Sequence, residues 1–367
     1  MDARERHTPI STDAARALID TLERDRRLSL DQWEALIGVH NDEEVREYLC
    51  ERARVIRDAE YGHEVYTRGL IEFTNYCKND CLYCGIRKSN HEAHRYRLSK
   101  EDILACCKEG YELGFRTFVL QGGEDPFYTD DVLVGIVSAV HSQYPDCALT
   151  LSVGERSREA YQRLFDAGAD RYLLRHETAN AAHYASLHPE SMSSERRKQC
   201  LFDLRDIGYQ VGSGFMVGSP GQTARNLGED MQFLAELRPH MVGIGPFIPH
   251  RHTQYAQESQ GTLELTLCMI ACLRLMLPQA LLPATTALGT IDPRGREKGM
   301  DAGANVVMPN LSPVKHRKDY DLYDNKICTG EEAAECRFCL QSRMALAGYS
   351  VVVDRGDSHV PFIAKEG

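Results

Sequence analysis

The chain has 367 residues, enough for one large barrel or two medium domains, and its 43% hydrophobic and 26% charged residues are those of an ordinary globular protein. A formal net charge of −11 argues against long-range attraction to nucleic acid or to an anionic membrane. The amino-terminal MDARERHTPISTD lacks an apolar core, and the most apolar stretch, LCMIACLRLML, is broken by Arg274 and too short for a bilayer, so a cytoplasmic protein is expected.

Residues 1–60 read as a charged helical extension: Ser29 is an N-cap for SLDQWEALIG, and EEVREYLCERARVIRDAEYG is an amphipathic helix. From Gly69 onward, short apolar runs alternate with longer amphipathic ones. The predicted pairs are GLIEFTNYC with SKEDILACCKEGYELG, FRTFVLQGGED with TDDVLVGIVSAVHSQY, and ALTLSVGE with SREAYQRLFDAG. They continue as RYLLRHET with SSERRKQCLFDLRDIG, QVGSGFMVGS with TARNLGEDMQFLAELR, and HMVGIGPFI with TLELTLCMIACLRLML. LLPATTALG with PRGREKGMDAGA and a closing NVVMP complete about eight alternations, the number that closes a parallel barrel. Gly114, Gly168 and Gly208 stand where left-handed helix ends are wanted. The expected fold is therefore α/β, a complete (β/α)8 TIM barrel over 61–310, with a helical extension at 1–60 and a cysteine-containing segment at 311–367. An open doubly wound sheet is the alternative.

Active sites of such barrels lie at the C-terminal strand ends. CKNDCLYC places Cys77, Cys81 and Cys84 after the first strand in a C-x3-C-x2-C spacing. Thirteen cysteines in a reducing compartment point to metal or redox chemistry rather than disulfides. Three thiolates can hold three irons of a 4Fe–4S cube and leave the fourth iron open. S-adenosylmethionine can fill that position through its amino and carboxylate groups, and an electron from the cube then cleaves its sulfonium. A zinc knuckle with a distant fourth ligand is the bland alternative. With the aromatic Tyr83 before the last cysteine, this stretch resembles the radical S-adenosylmethionine superfamily.

The resemblance gives the neighbouring motifs a role. Gly122, Gly123, Glu124 and Asp125 close the second strand, where the superfamily holds the amino group of S-adenosylmethionine; alone, GGED would be only a tight turn. Glu177 suits ribose hydroxyls, and Arg197 suits the methionyl carboxylate through paired hydrogen bonds. Ser152, Met216 and Tyr83 join this cofactor-contact set. Arg175, Thr285 and Thr286 form a cradle for an anionic or carboxylate-bearing substrate. Gln121 and Thr150 add hydrogen bonds, and Met241, Met308, Tyr320 and Tyr323 supply a soft, bulky wall. Cys106, Cys107, Cys200, Cys268 and Cys272 fall on helices and read as packing residues.

A second triplet, Cys328, Cys336 and Cys339, follows a C-x7-C-x2-C spacing in KICTGEEAAECRFCLQ. It is open to an auxiliary 2Fe–2S or 4Fe–4S cluster, to a zinc site completed by water or His316, or to no metal. With QGGED, SVGER, RHET, SERR and this triplet in order, residues 66–339 resemble the FeFe-hydrogenase maturase family HydE, of the biotin-synthase-like branch. The resemblance implies a small organometallic substrate, a cysteine-bound iron with carbon monoxide and cyanide, en route to the two-iron subcluster of hydrogenase. It also implies contact with other maturases and an electron donor. Thr150 and Gly212 stand where biotin synthase would put cysteines. A methylornithine synthase acting on lysine is the alternative enzyme, and an electron carrier or scaffold the non-catalytic one.

Overall fold

Helix caps are where the sequence puts them. The computed structural model describes residues 10–330 and 333–361. Helix α1 (Thr12–Asp25) starts at Ser11, α2 (Leu30–Gly38) at a Ser29–Gln32 capping box, and α3 (Glu43–Tyr61) at Asp42. Their apolar stripes, including Ile19, Leu22, Trp33, Leu36, Leu49 and Ala53, are buried in one cluster with the outer helices of the barrel.

The α/β part begins with β1 (Glu64–Thr67), which runs through Arg68 into β2 (Gly69–Thr74). Then follow α4 (Lys100–Glu112), β3 (Thr117–Gly122), α5 (Asp130–Gln143), β4 (Ala148–Ser152), α6 (Arg158–Asp166) and β5 (Arg171–Leu173). Two helices, α7 (Ala181–Leu187) and α8 (Ser194–Ile207), precede β6 (Gln210–Ser213) and the short β7 (Met216–Val217). Next come α9 (Ala224–Leu237), β8 (Met241–Val242), β9 (Gly245–Pro246), α10 (Leu263–Met276), α11 (Thr286–Ile291), α12 (Gly295–Asp301) and β10 (Val306–Val307). The chain ends with α13 (Val314–Arg317), α14 (Ala333–Leu346) and β11 (Ser350–Val352).

Six strands form one parallel sheet in the order β2-β3-β4-β5-β6-β8. Single parallel bridges carry the ladder on, from Met241 to Leu281 and from Pro283 to Val306. At the seam with the first strand, Leu70 N–H donates to the Pro309 carbonyl (2.9 Å), and Leu311 N–H donates to the Leu70 carbonyl (2.7 Å). The architecture is TIM-barrel-like, with its seventh position reduced to bridges. Pro283 explains that reduction, since it has no N–H to give the ladder. The expected strand LLPATTALG thus ends early, and Thr285 and Thr286 open α11 instead of closing a strand.

Residues after the barrel cover both of its ends. Lys326 reaches inside the mouth, described below. At the floor β11 pairs with β1, and Asp357 binds buried Arg171 (2.5 Å) and Gln210 (2.7 Å). The described residues include no helix long and apolar enough to cross a membrane.

Candidate active site at the barrel mouth

The loop after β2 carries Cys77, Cys81 and Cys84, and its own backbone is pinned from three sides. Lys78 N–H donates to the Glu124 carbonyl (2.9 Å), Leu82 N–H to that of Leu187 (2.9 Å), and Gly85 N–H to that of Leu322 (3.0 Å). Gly85 has no room for a side chain, since a Cβ would lie 2.1 Å from the Asp321 carbonyl oxygen. Burial, and after it the neighbouring thiols, push Cys84 up to about 12 and Cys81 well above the ordinary thiol value. Burial also raises Cys77. These thiols stay protonated until a metal displaces their protons. Among the described residues, no three cysteine sulfurs all lie within 4.8 Å of one another. Cys77, Cys81 and Cys84 thus do not converge on a single ion position. Tyr83 is edge-on to His188, with its hydroxyl 3.4 Å from Nε2, and it packs beside Met216 and Leu187.

The end of β3 lies against this loop. At Gly123 a Cβ would sit 2.2 Å from the Tyr76 carbonyl oxygen and 2.8 Å from the Cys77 Cβ, so only glycine lets the two backbones meet. Gly122 is nearly as tight against Thr74. The Asp125 carboxylate accepts from Thr74 Oγ1 (2.7 Å) and twice from Arg97 (2.6 and 2.8 Å), whose hydrogen bonds hold it below the usual carboxylate range despite burial. Asp125 is thereby the anchor of the turn. Glu124 pairs with Lys78 (3.1 Å) and accepts from Glu155 N–H (3.1 Å).

Arg197, on the buried face of α8, lies between two of these acids. Its Nε is 2.7 Å from Glu155 Oε1, off the hydrogen-bond direction, and its Nη2 is 3.8 Å from Glu124 Oε1. Burial alone would lower its pKa, but Tyr184, Glu155 and Glu124 more than reverse that, so it stays charged. Glu155 is shifted up by burial. Glu177 follows β5 at φ +65°, a left-handed conformation that strains a residue with a side chain. Its N–H donates to the Gly214 carbonyl (3.1 Å), and its carboxylate lies 3.0 Å from Arg175 Nη2. Among the described residues, Tyr184 Oη and Thr285 Oγ1 are buried without a hydrogen-bond partner, while Glu177 Oε2 against Arg175 Nη2 and Arg197 Nε against Glu155 meet as ion pairs without hydrogen-bond geometry. Buried polar atoms without hydrogen bonds, in such number, are expensive unless a ligand satisfies them. A ligand with an amine, a carboxylate and ribose hydroxyls fits this donor and acceptor set, and three thiols suit an iron–sulfur cube.

The remaining named residues occupy different depths. Ser152, half-buried at the end of β4, stands opposite Gln121, whose Nε2 donates to Tyr320 Oη (3.4 Å). Thr286 and Met308 line a small cavity with Glu72, Arg296, Lys326 and Cys328. Thr150 and Met241 lie deeper, lining a second cavity with Arg68 and Arg171. Burial raises the pKa of both Tyr320 and Tyr323.

One pair went unread in the sequence. Glu72, 1% exposed, lies 2.7 Å from Lys326 Nζ and accepts from Asn310 Nδ2 (2.8 Å), while Lys326 also donates to the Tyr320 carbonyl (2.9 Å). A lone acid inside the apolar run GLIEFT was the available signal.

Cys328 adopts φ +61°, with Arg296 Nη2 3.6 Å from its sulfur. Cys339 is exposed on α14; the Arg343 pKa is raised first by its Glu297 partner and further by Cys339 and Cys328, so both thiols lie within electrostatic reach of one guanidinium. The side chain of Cys336 lies outside the described residues. His316 stacks on Tyr96 and faces Asp319 (3.3 Å). Cys106, Cys107, Cys200, Cys268 and Cys272 are buried, as packing residues should be.

Comparison with known proteins adds the following. The Radical SAM superfamily matches residues 71–234. The [FeFe] hydrogenase maturase subunit HydE of Thermotoga maritima is 44% identical over 333 residues, covering 91% of this chain and 94% of that protein. The 3-methylornithine synthase of Methanosarcina acetivorans is 30% identical, over 80% of this chain and 84% of its own. A crystal structure of methylornithine synthase superposes with a TM-score of 0.79 at 26% identity, covering 91% of this chain and 97% of that one.

Proposed function

This chain belongs to the HydE family of [FeFe] hydrogenase maturases within the radical SAM superfamily, and from that premise we propose how its own residues serve the reaction. The single observation carrying the reading is the meeting of three separated thiols with Gly123, Arg197 and Glu177 at one barrel mouth. When bound there, a 4Fe–4S cluster and S-adenosylmethionine supply a reducing electron and a 5′-deoxyadenosyl radical.

Cys77, Cys81 and Cys84 would be the cluster ligands. The bare backbone at Gly123 would let the β3 end approach the methionyl amine. Arg197 would turn from Glu155 to the methionyl carboxylate, and Glu177 would accept from the ribose hydroxyls, giving both groups hydrogen bonds. Tyr83 and Met216 would pack beside the nucleoside, with Ser152 adding a hydrogen bond. Below them, Arg175, Thr285, Thr286, Gln121, Tyr320, Tyr323 and Met308 would hold a small anionic substrate, with Thr150 and Met241 at its deep end. The substrate would be a cysteine-bound iron carrying carbon monoxide and cyanide, handed on within cytoplasmic assembly of the hydrogenase di-iron subcluster. Cys328 and Cys339, with Cys336, would hold an auxiliary iron–sulfur cluster of either size, and the nearness of the first two to Arg343 supports this.

The test is S-adenosylmethionine consumption by anaerobically reconstituted, reduced protein given the iron complex, lysine or nothing. Stimulation by the iron complex, lost in Cys81→Ser, is the expected result. Stimulation by lysine alone would transfer the assignment to the methylornithine reaction. An intact, reduced cluster that cleaves nothing would overturn the radical reading.

A further inference from the structure

Behind the loop that carries Glu177 runs a row of buried polar groups with no part in the chemistry above. His176 Nδ1 lies 2.9 Å from Ser213 Oγ on β6, and its Nε2 lies 3.2 Å from Asp230 Oδ1 on α9. Ser213 Oγ donates to the Leu174 carbonyl (3.2 Å), and the same Asp230 oxygen accepts from Ala179 N–H (2.5 Å). Leu174 and Ala179 are the two ends of the loop, and Glu177 lies between them. His176, Ser213 and Asp230 are at most 1% exposed, and the imidazole packs edge-on against Phe233 and beside Phe215.

Serine, histidine and aspartate in a row are also the parts of a nucleophilic triad, but the protons here run the wrong way for one. Ser213 gives its single proton to Leu174, so it accepts from His176 Nδ1–H. A nucleophilic serine donates into the imidazole and needs an open face for its substrate. Asp230 Oδ2 is buried without a hydrogen-bond partner among the described residues, and burial lifts its carboxyl well above the ordinary value while lowering His176 to about 3. A protonated Asp230 donating to a neutral Nε2 completes a one-way chain, from Ala179 N–H through Asp230, His176 and Ser213 to the Leu174 carbonyl. Every proton is used and no net charge is buried. On the other side of the loop, Glu177 N–H donates to the Gly214 carbonyl (3.1 Å) and its carbonyl accepts from Met216 N–H (3.4 Å). A residue at φ +65° persists only where its surroundings over-determine it, and this loop is fixed from both sides.

We propose that Ser213, His176 and Asp230 are positioning residues for the ribose of S-adenosylmethionine: they clamp the 174–179 loop so that the Glu177 carboxylate stands ready for the two hydroxyls. The proposal rests on the role given to Glu177 above. With almost no exposed surface to offer a ligand, all three act through Glu177.

The experiment is equilibrium dialysis of the reconstituted full-length protein, without reductant, against labelled S-adenosylmethionine and against its analogue lacking both ribose hydroxyls. The wild type should hold S-adenosylmethionine at least about tenfold tighter than the analogue. Asp230→Asn cannot both accept from Ala179 and donate to His176 through one oxygen. Its preference should fall to within about twofold, with affinity for the analogue unchanged. Ser213→Ala, a smaller change at the other end of the chain, should do the same and decides the matter if the first variant does not fold. In a Glu177→Ala background neither substitution should weaken binding further. A preference retained in the folded variants, equal weakening of both ligands, or an additive loss on top of Glu177→Ala would overturn the positioning role and leave the network to the fold alone. A wild type indifferent to the ribose hydroxyls would instead sink the role given to Glu177 itself.

Discussion

Lys326 does something in this barrel that no helix or strand requires of it. It enters the mouth from the C-terminal segment and meets Glu72 at 2.7 Å, with both side chains at least nine-tenths buried. Taking two charges out of water is costly, and the pair persists because Asn310 and the Tyr320 carbonyl occupy their remaining hydrogen-bonding positions. Removing one partner should therefore hurt far more than removing both. Lys326→Met is expected to lower unfolding free energy by about 3–5 kcal/mol, because it strands a buried carboxylate. Glu72→Gln/Lys326→Met should recover most of that loss. Urea denaturation of the cluster-free proteins gives both numbers. Equal loss in the single and double variants would mean that shape, not charge, is what the site needs. The strain at Glu177 has a related logic: a carboxylate held at φ +65° beside Arg175 is an expense a packing residue would not bear.

Among the elements, the cysteine loop and the end of β3 act as one unit, because each closes the other's hydrogen bonds. Gly123 N–H donates to the Thr74 carbonyl (3.2 Å), and Lys78 N–H to that of Glu124 (2.9 Å). Gly123→Ala places a methyl 2.2 Å from the Tyr76 carbonyl oxygen, a backbone atom that can yield only if the whole loop shifts. Cluster reconstitution and S-adenosylmethionine cleavage should both fall at least about tenfold, while the barrel, anchored elsewhere, keeps its circular dichroism. Retained cleavage would mean the loop has slack. Such elements were legible wherever the signal was local. Ser29, the helix-ending glycines and the strand GLIEFT needed only neighbouring residues to be read. The seventh strand was misjudged because an apolar run containing Pro283 looks like a ladder strand but lacks the donor for one. β11, three residues long, is held by pairing with β1 nearly three hundred residues earlier, and the Glu72–Lys326 pair spans a similar distance. Only folding brings such partners together.

At the scale of the whole molecule, the tail closes the floor of the barrel, and the cost of burial within the fold appears in three of its histidines. His183 and His240 sit below the ordinary histidine pKa, and His188 is driven down to about 4, each chiefly by burial. His240 illustrates the arrangement: Val211 N–H donates to its Nδ1 (3.0 Å), and its Nε2 faces the Pro361 carbonyl of the tail (3.4 Å). Below about pH 6.5 an unfolded histidine binds a proton that these three refuse while folded. Stability is therefore full above that pH and drains as pH falls toward the folded values, by at most about 1.4 kcal/mol per unit for each group. The buried His176–Asp230 pair adds little slope, because burial lowers the histidine to about 3 and raises the aspartate, and the two work in opposite directions. Taking the cluster-free protein from pH 7.5 to 5.5 should then cost about 2–4 kcal/mol in urea denaturation. His240→Gln keeps an acceptor and a donor but cannot titrate, so its loss over the same interval should be about a third smaller. If the variant and the wild type lose stability in parallel, burial does not hold His240 neutral, and the floor of the barrel is open to water.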